Sequence, residues 1–171
     1  MSHIFRQAQR SDLKQIMSII RDAQTMMGEE GRTQWQDGYP ASSDIMRDLE
    51  RGYGYVLADP SDGGILAYGA VVFDGEPTYD VIDGKWLSDN PFVVVHRQAT
   101  ARALMGRGLG AEFLNNVESL AASRDIPSFR IDTNHDNRYM LRLLEKQGFS
   151  YCGIITLRSG DKRMAFEKVI Y

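Results

Sequence analysis

The chain has 171 residues, of which 43% are hydrophobic, 25% charged and 10% aromatic, with 20 Lys+Arg against 23 Asp+Glu and a formal net charge of −3. That mixture excludes collagen, intrinsic disorder and a disulfide-built scaffold. It also gives no general electrostatic attraction to nucleic acid or to an anionic membrane.

Roughly 150 residues make a domain, so one domain over residues 1–171 is expected, long enough to bury its own core. The single cysteine, Cys152, can neither close an internal disulfide nor complete a Cys-rich zinc site, and no metal is expected. It reads as a half-buried structural thiol. No window approaches ~18 apolar residues. The stretch Met1-Ser2-His3-Ile4-Phe5-Arg6-Gln7 lacks the apolar run of a signal peptide. The expected location is cytoplasmic, with neither nucleic acid nor membrane as partner.

Ile4–Gln9 reads as a short strand, with His3 in a frayed terminus. Ser11 is the expected cap of a helix in which Leu13, Ile16, Met17, Ile20 and Ala23 recur at helical spacing before Gly28-Glu29-Glu30-Gly31. A polar, aromatic loop, Thr33–Pro40, follows, and Ser42 or Ser43 caps a shorter helix carrying Ile45, Met46 and Leu49. Tyr53–Ala58 and Ile65–Phe73 form a hairpin around the turn residues Asp59–Gly64. An acidic loop, Asp74–Asp89, contains Trp86. Phe92–Val95 is an unbroken apolar run, suited to a central strand covered on both faces, and polar residues continue it to Arg102.

Beyond a glycine-rich turn, Leu109, Phe113, Val117, Leu120 and Ala121 stripe a helix. Phe129–Thr133 is a strand. Asn134 or Asp136 caps a helix whose Met140, Leu143, Leu144 and Gln147 share a side, and His135 falls on its surface or at its cap. Gly148 stands where a left-handed C′ residue belongs, with Phe149 folding back on the last turn. Tyr151–Leu157 and Arg163–Ile170 close the chain as a hairpin. The expected class is α+β: a single-domain, mixed, twisted sheet of about seven strands flanked by about four helices.

The turn Met105-Gly106-Arg107-Gly108-Leu109-Gly110 carries the most chemistry. Three glycines expose main-chain amides, and the helix that follows offers free N–H groups and a favourable dipole to an anion. Arg107 can add a charge-assisted bond. The turn either binds a phosphate or diphosphate or merely makes a tight corner. Ala111-Glu112 in place of Lys-Ser/Thr excludes a P-loop. Gly106–Ala111 satisfies the dinucleotide fingerprint G-x-G-x-x-G/A, with Asp132 where a ribose-binding acid would sit. That keeps a nicotinamide-dependent oxidoreductase as a distant alternative, because too little chain follows Asp132 for the further βα units such a fold needs.

Together with Asn137-Arg138-Tyr139-Met140-Leu141-Arg142-Leu143-Leu144-Glu145-Lys146-Gln147-Gly148-Phe149, this turn resembles the GNAT superfamily of N-acetyltransferases. Its phosphate motif is Arg/Gln-x-x-Gly-x-Gly/Ala, and its second motif is Asn-x-x-Ala-x-x-Leu-Tyr-Glu-Lys-x-Gly-Phe. The resemblance covers nearly the whole chain. It departs at Met105, where Arg or Gln is usual, and at Leu144, where the family carries its acid tyrosine. The resemblance implies acetyl-CoA as co-substrate. It would be held by Met105, Gly106, Arg107, Gly108, Leu109, Gly110 and Ala111, with Asn134 and Asn137 contributing, Asn137 otherwise serving as a cap. The pantetheine arm would lie against the main chain of Gln98, Ala99 and Thr100.

The implied activity is transfer of an acetyl group to a primary amine of a small molecule or peptide, directly in a ternary complex. A coenzyme-binding module without catalysis is the alternative that Leu144 motivates. Such transfer needs a base, because an alkyl amine is protonated near neutral pH. His96 is the candidate, or else a histidine bonded to a neighbour. Tyr139 and Tyr151 are candidate acids or packed aromatics. Trp35, Tyr39 and Trp86 could wall the acceptor site or simply pack. Glu76, with Asp80, could attract an ammonium group or stay solvated. A homodimer, through terminal strands, is plausible by the same resemblance.

Overall fold

The computed structural model describes residues 3–171; Met1 and Ser2, part of the polar N-terminal stretch, lie outside the described residues. Along the chain run β1 (Ile4–Gln7), α1 (Leu13–Glu29), α2 (Ser42–Glu50), β2 (Gly54–Ala58), β3 (Ile65–Val72), β4 (Asp83–Gly84), β5 (Phe92–Thr100), α3 (Leu109–Ser123), β6 (Ser128–Thr133), α4 (Arg138–Lys146), β7 (Ser150–Thr156) and β8 (Lys162–Val169). The eight strands belong to one mixed sheet, which with four α-helices makes the protein α+β. The strand beyond the expected seven is β4, two residues from the acidic loop paired with Gly153 and Ile154 of β7. Packing divides the described residues into two units, residues 3–71 with His96–Asn116, and Val72–Val95 with Val117–Tyr171.

In the first unit β1, β2 and β3 are neighbours, each pair antiparallel. Nearly every residue of β2 and β3 is buried, as the continuous apolar runs require of strands covered on both faces. The stripe of α1 (Ile16, Met17, Ile19 and Ile20) joins Ile45, Val56 and Tyr68 in one core cluster. Phe5 stacks on Tyr55 with ring centroids 5.1 Å apart and meets the edge of Phe113 at 5.5 Å.

Two expectations for the N-terminal region are corrected. His3 is not frayed: its Nδ1 lies 2.9 Å from Oε2 of Glu112. Ser11 does not cap α1: residues Arg10–Asp12 form a single 3-10 turn, and Asp12, at the N-cap position of α1, makes no side-chain bond to that helix and turns its carboxylate back to the start of the turn. Its Oδ2 accepts the Gln9 N–H at 2.7 Å and Arg6 Nη1 at 2.8 Å, while Arg6 Nη2 donates to Oδ1 at 3.1 Å. The carboxylate thus closes the 3-10 turn rather than α1 itself.

In the second unit the order is β5–β6–β8–β7–β4. β5 pairs in parallel with β6 through Phe92–Val94, whereas β6 pairs antiparallel with β8 along its full length, from Ser128 to Thr133. The terminal hairpin is therefore inserted, its second strand lying between β6 and β7. These antiparallel neighbours stand where a dinucleotide fold would continue with parallel strands, which removes the oxidoreductase alternative. Gly84 and Gly153 face each other at positive φ, and a Cβ on either would run into the other strand's backbone.

α4 ends as its sequence predicts. Gly148 has φ +84, its N–H bonds the Glu145 carbonyl at 3.1 Å, and the Phe149 N–H reaches back to Leu144 at 3.0 Å. Phe149 then packs edge-on against Phe129, 5.0 Å between centroids.

The Arg6 hydrogen bonds hold the Asp12 carboxyl below the usual carboxylate range. Its stabilisation is thus complete above the ordinary value near 3.9 and is lost as the pH falls through the lowered folded-state value. Replacing it in Asp12→Asn should lower stability by about 1–2 kcal/mol at neutral pH. In urea denaturation across pH, the two proteins should converge in acid.

Candidate active site

β5 changes character midway. Val93, Val94 and Val95 are buried, but His96, Arg97 and Gln98 are all half-buried in succession, so the in–out alternation of a strand is interrupted. The cause is Arg97, which has φ +55, a left-handed residue inside the strand. For a residue with a long side chain this conformation costs about 1–3 kcal/mol and needs surroundings that enforce it.

Those surroundings are present. Asp48, on the buried side of α2 and 4% exposed, receives Arg97 Nε on Oδ2 at 2.8 Å and Nη2 on Oδ1 at 2.6 Å. Tyr68 of β3 donates its hydroxyl to the same Oδ2 at 2.6 Å, and Arg97 Nη1 donates to the hydroxyl of Tyr39 at 2.8 Å. Burial would lower the guanidinium's affinity for its proton, but Asp48 more than compensates and raises it. Burial and Asp48 push the Tyr68 hydroxyl far above its ordinary pKa, so it stays a donor.

The chain leaves β5 with the Ala101 N–H on the Leu66 carbonyl at 2.8 Å, makes a single 3-10 turn at Arg102–Leu104, and enters the glycine turn. Gly106 and Gly108 have φ +82 and +78, with no atom near the position a Cβ would take. The first helical N–H bond in this region runs from Glu112 to Gly108 at 3.0 Å. Among the described residues, none of the N–H groups from Gly106 through Ala111 donates a hydrogen bond. Gly106, Arg107 and Gly108 are exposed, whereas Leu109 is buried and starts α3. Gln98 reaches this turn: its Nε2 donates to the Gly110 carbonyl at 3.4 Å, and its buried Oε1 has no partner. The chemical capacity of the turn is that of an anion cradle, with main-chain donors at a helix N-terminus and a guanidinium beside them.

The first unit therefore brings together His96, Gln98, Ala99, Thr100, the turn from Met105 to Ala111, and Tyr39, which is 39% exposed. Trp35 packs against the core cluster of α1 and β3.

In the second unit, Asn137 caps α4, its Oδ1 accepting the Met140 N–H at 3.2 Å. That use leaves its Nδ2 without a partner among the described residues. Asn134 is buried and bonds Asp136 Oδ1 at 2.7 Å. Tyr139, on the first turn of α4, is 41% exposed, and burial of the rest of the ring raises its pKa. Tyr151 on β7 is 54% exposed and meets the edge of Phe166. Leu144 is fully buried.

Trp86 packs over the guanidinium of Arg130, which Phe92 covers from another ring, each at 4.2 Å. Its Nε1 donates to the Tyr79 carbonyl at 2.9 Å. Glu76 accepts from the Thr78 hydroxyl, and Asp80 is exposed at the end of a 3-10 turn. Cys152 is buried, and burial first, then Glu167, raises its thiol pKa, as suits an inert thiol.

Arg97, Asp48 and Tyr68 were not among the residues singled out from the sequence. One signal was available. Asp48 stands three residues after Ile45, on the stripe that buries α2.

A family model described as "Acetyltransferase (GNAT) family" matches residues 14–149. Among solved structures, a GNAT-family acetyltransferase from Streptococcus agalactiae 2603 is 37% identical, with a TM-score of 0.87 over 98% of this chain and 95% of that one. A GNAT-family acetyltransferase from Listeria monocytogenes 4b F2365 is 20% identical, with a TM-score of 0.76 over 98% and 94% of the two chains. The PaiA N-acetyltransferase from Thermoplasma acidophilum, solved in complex with coenzyme A, is 12% identical, with a TM-score of 0.72 over 99% of each. At these lower identities the likeness is one of fold. No curated protein sequence matches the chain. Among the described residues, no helix is long and apolar enough to cross a membrane.

The cap geometry of Asn137 has a direct consequence. Asn137→Ala should destabilise the protein by about 1 kcal/mol in urea denaturation, and Asn137→Asp should largely preserve it.

Proposed function

The chain belongs to the GNAT family of acetyltransferases, and from that premise we propose that it moves an acetyl group from acetyl-CoA to a primary amine of a small molecule or peptide, by direct transfer in a ternary complex. The observation that carries this reading is the run of unengaged amides from Gly106 through Ala111, opened by two left-handed glycines at the start of α3. A diphosphate is the ligand class that such donors suit, and Arg107 adds charge to them. Asn137 keeps an amide NH2 that its cap bond does not use. Met105 supplies no polar side chain to it, so the main chain carries the binding.

Acetyl-CoA, when bound, supplies an acyl group already activated as a thioester. The chain's part is to align, deprotonate and reprotonate. The main chain of Gln98, Ala99 and Thr100 is proposed to line the acyl donor and to offer an N–H where negative charge grows on oxygen. His96 is proposed to take the proton that the acceptor nitrogen must lose. As the C–N bond forms and the C–S bond breaks, the departing sulfur needs a proton. Leu144, buried and apolar, cannot provide one. Tyr139 is proposed for that role ahead of Tyr151, because it lies in the second motif, two residues after Asn137. Its raised pKa keeps it protonated until a strong base appears beside it. Tyr39 would border the acceptor, next to Arg97.

Leu144 also favours a second reading, a protein that binds acyl-CoA without turnover. The two separate in one assay. Acetyl-CoA is incubated with the protein and a panel of polyamines, amino acids, aminoglycosides and peptide N-termini, and free thiol is measured. Amine-dependent thiol release is expected, and its absence with intact coenzyme binding would establish the second reading.

Two variants test the residue assignments. Gly108→Val places a branched side chain at φ +78 and should weaken coenzyme A binding at least ~10-fold in calorimetry while the protein stays folded. An unchanged affinity would remove the turn from the site. His96→Ala should lower kcat about 10²–10⁴-fold with coenzyme affinity unaltered. A wild-type pH–rate profile in that variant would show that His96 is not the base.

A further inference from the structure

We propose that Asp48 and Arg97 form a positioning clamp for acyl transfer: the buried carboxylate holds Arg97 in the left-handed conformation that turns β5 between His96 and Gln98, and so aims the main chain of Gln98–Thr100. This rests on the acetyl-transfer reading above.

Nothing in an arginine's own preferences puts it at φ +55 in the middle of a nine-residue strand. The conformation is therefore imposed from outside, and among the described residues the charged partner of Arg97 is Asp48. The fork is bidentate, through Nε and Nη2 to the two carboxylate oxygens, which fixes the guanidinium in plane and direction as well as in distance. Tyr68, itself fully buried, fixes the carboxylate in turn, and Tyr39 takes Nη1. Three segments of the first unit thus converge on one residue: α2, β3 and the loop before α2.

The turned residue lies between the two groups that the reaction needs. His96 precedes it, and Gln98 follows it and reaches the first turn of α3 at Gly110. Farther along, Ala101 is pinned to Leu66. The strand end is therefore held on both sides of the turn, and the three successive half-buried side chains at His96, Arg97 and Gln98 record the change of direction. In this arrangement the guanidinium is spent inward on Asp48, and what it delivers to the site is backbone geometry.

That distinction is testable with glycine, which adopts the same φ without a clamp. We compare Arg97→Ala, Arg97→Gly, Asp48→Asn and the double variant Asp48→Asn/Arg97→Gly. Steady-state kinetics is measured with the best amine of the panel, and crystal structures give φ at residue 97. Arg97→Ala and Asp48→Asn should lose about 10- to 100-fold in kcat, with KM for acetyl-CoA within about threefold of wild type. Arg97→Gly and the double variant should recover kcat to within about threefold of wild type, with φ still positive. A folded Arg97→Gly protein, or a folded double variant, as inactive as Arg97→Ala overturns the clamp. So does Arg97→Ala with wild-type kcat, or with φ still near +55 in its crystal. If the wild-type protein itself turns over no amine, the acetyl-transfer reading fails, and φ in the four structures still decides whether Asp48 imposes the turn.

Discussion

Amides at the start of a helix have no carbonyl of their own helix to bond, and most proteins satisfy one or two of them with a capping side chain. The turn before α3 does the opposite. It places Gly108 where a serine or aspartate would ordinarily cap, so the N–H groups through Ala111 stay unspent. Leaving them in water is tolerable because Gly106, Arg107 and Gly108 are exposed. It is useful only if an anion comes to replace the water. α4 provides the contrast within the same chain: Asn137 closes its start with a side-chain oxygen. Under the proposed function, the coenzyme's diphosphate would take the place of that water at the start of α3.

Two buried ion pairs, one in each unit, use the same physics for different ends. Arg130 and Glu167 are 6% and 0% exposed, with Nε and Oε1 3.1 Å apart. The arginine is sandwiched between rings, and Ser88 and the Leu87 amide satisfy the carboxylate. The set bonds neighbours in regular strand or loop geometry, so it reads as a strut. A buried pair seldom adds net stability over apolar packing, though losing one partner is severe, about 3–5 kcal/mol. Asp48 and Arg97 share the burial but add one thing the strut lacks, a backbone held out of its preferred region. Strain that the surroundings sustain points to a use for the strained shape.

What the sequence disclosed follows the range of the forces involved. Gly148 and Phe149 were readable because a left-handed C′ residue and its apolar successor are decided within one helical turn. The β5 strand and the α3 stripe were readable from periodicity. Insertion of β8 between β6 and β7 was not, because alternation tells which face a residue takes and is silent on which strand lies beside it. Ser11 misled because a hydroxyl just before an apolar stripe reads as a cap, whereas the 3-10 turn at Arg10–Asp12 moves the start of α1 to Leu13. The same limit hid the clamp. Asp48 looked like an ordinary acid on a short helix until Arg97, 49 positions away in the chain, was seen to meet it. Trp86 was visible as an aromatic in a loop, but its load, the Arg130 guanidinium, came from another strand.

Leu144 bears on how the site divides its labour. At 0% exposure it is committed to the packing of α4, where a tyrosine's hydroxyl would need a polar neighbour or a path to the surface. Replacing the acid by leucine removes that demand and leaves α4 with an apolar stripe of Met140, Leu143 and Leu144. The proton for a departing thiolate must then come from a group that stays half in water. Tyr139 meets that description on the exposed side of the same helix. Under the proposed function, transfer from such a phenol requires the thiolate to be the stronger base of the two, and the phenol regains its own proton from solvent. Leu144 therefore keeps a hydroxyl off the buried side of α4, and under the proposed function the acid is sought on the helix's exposed side, where Tyr139 stands.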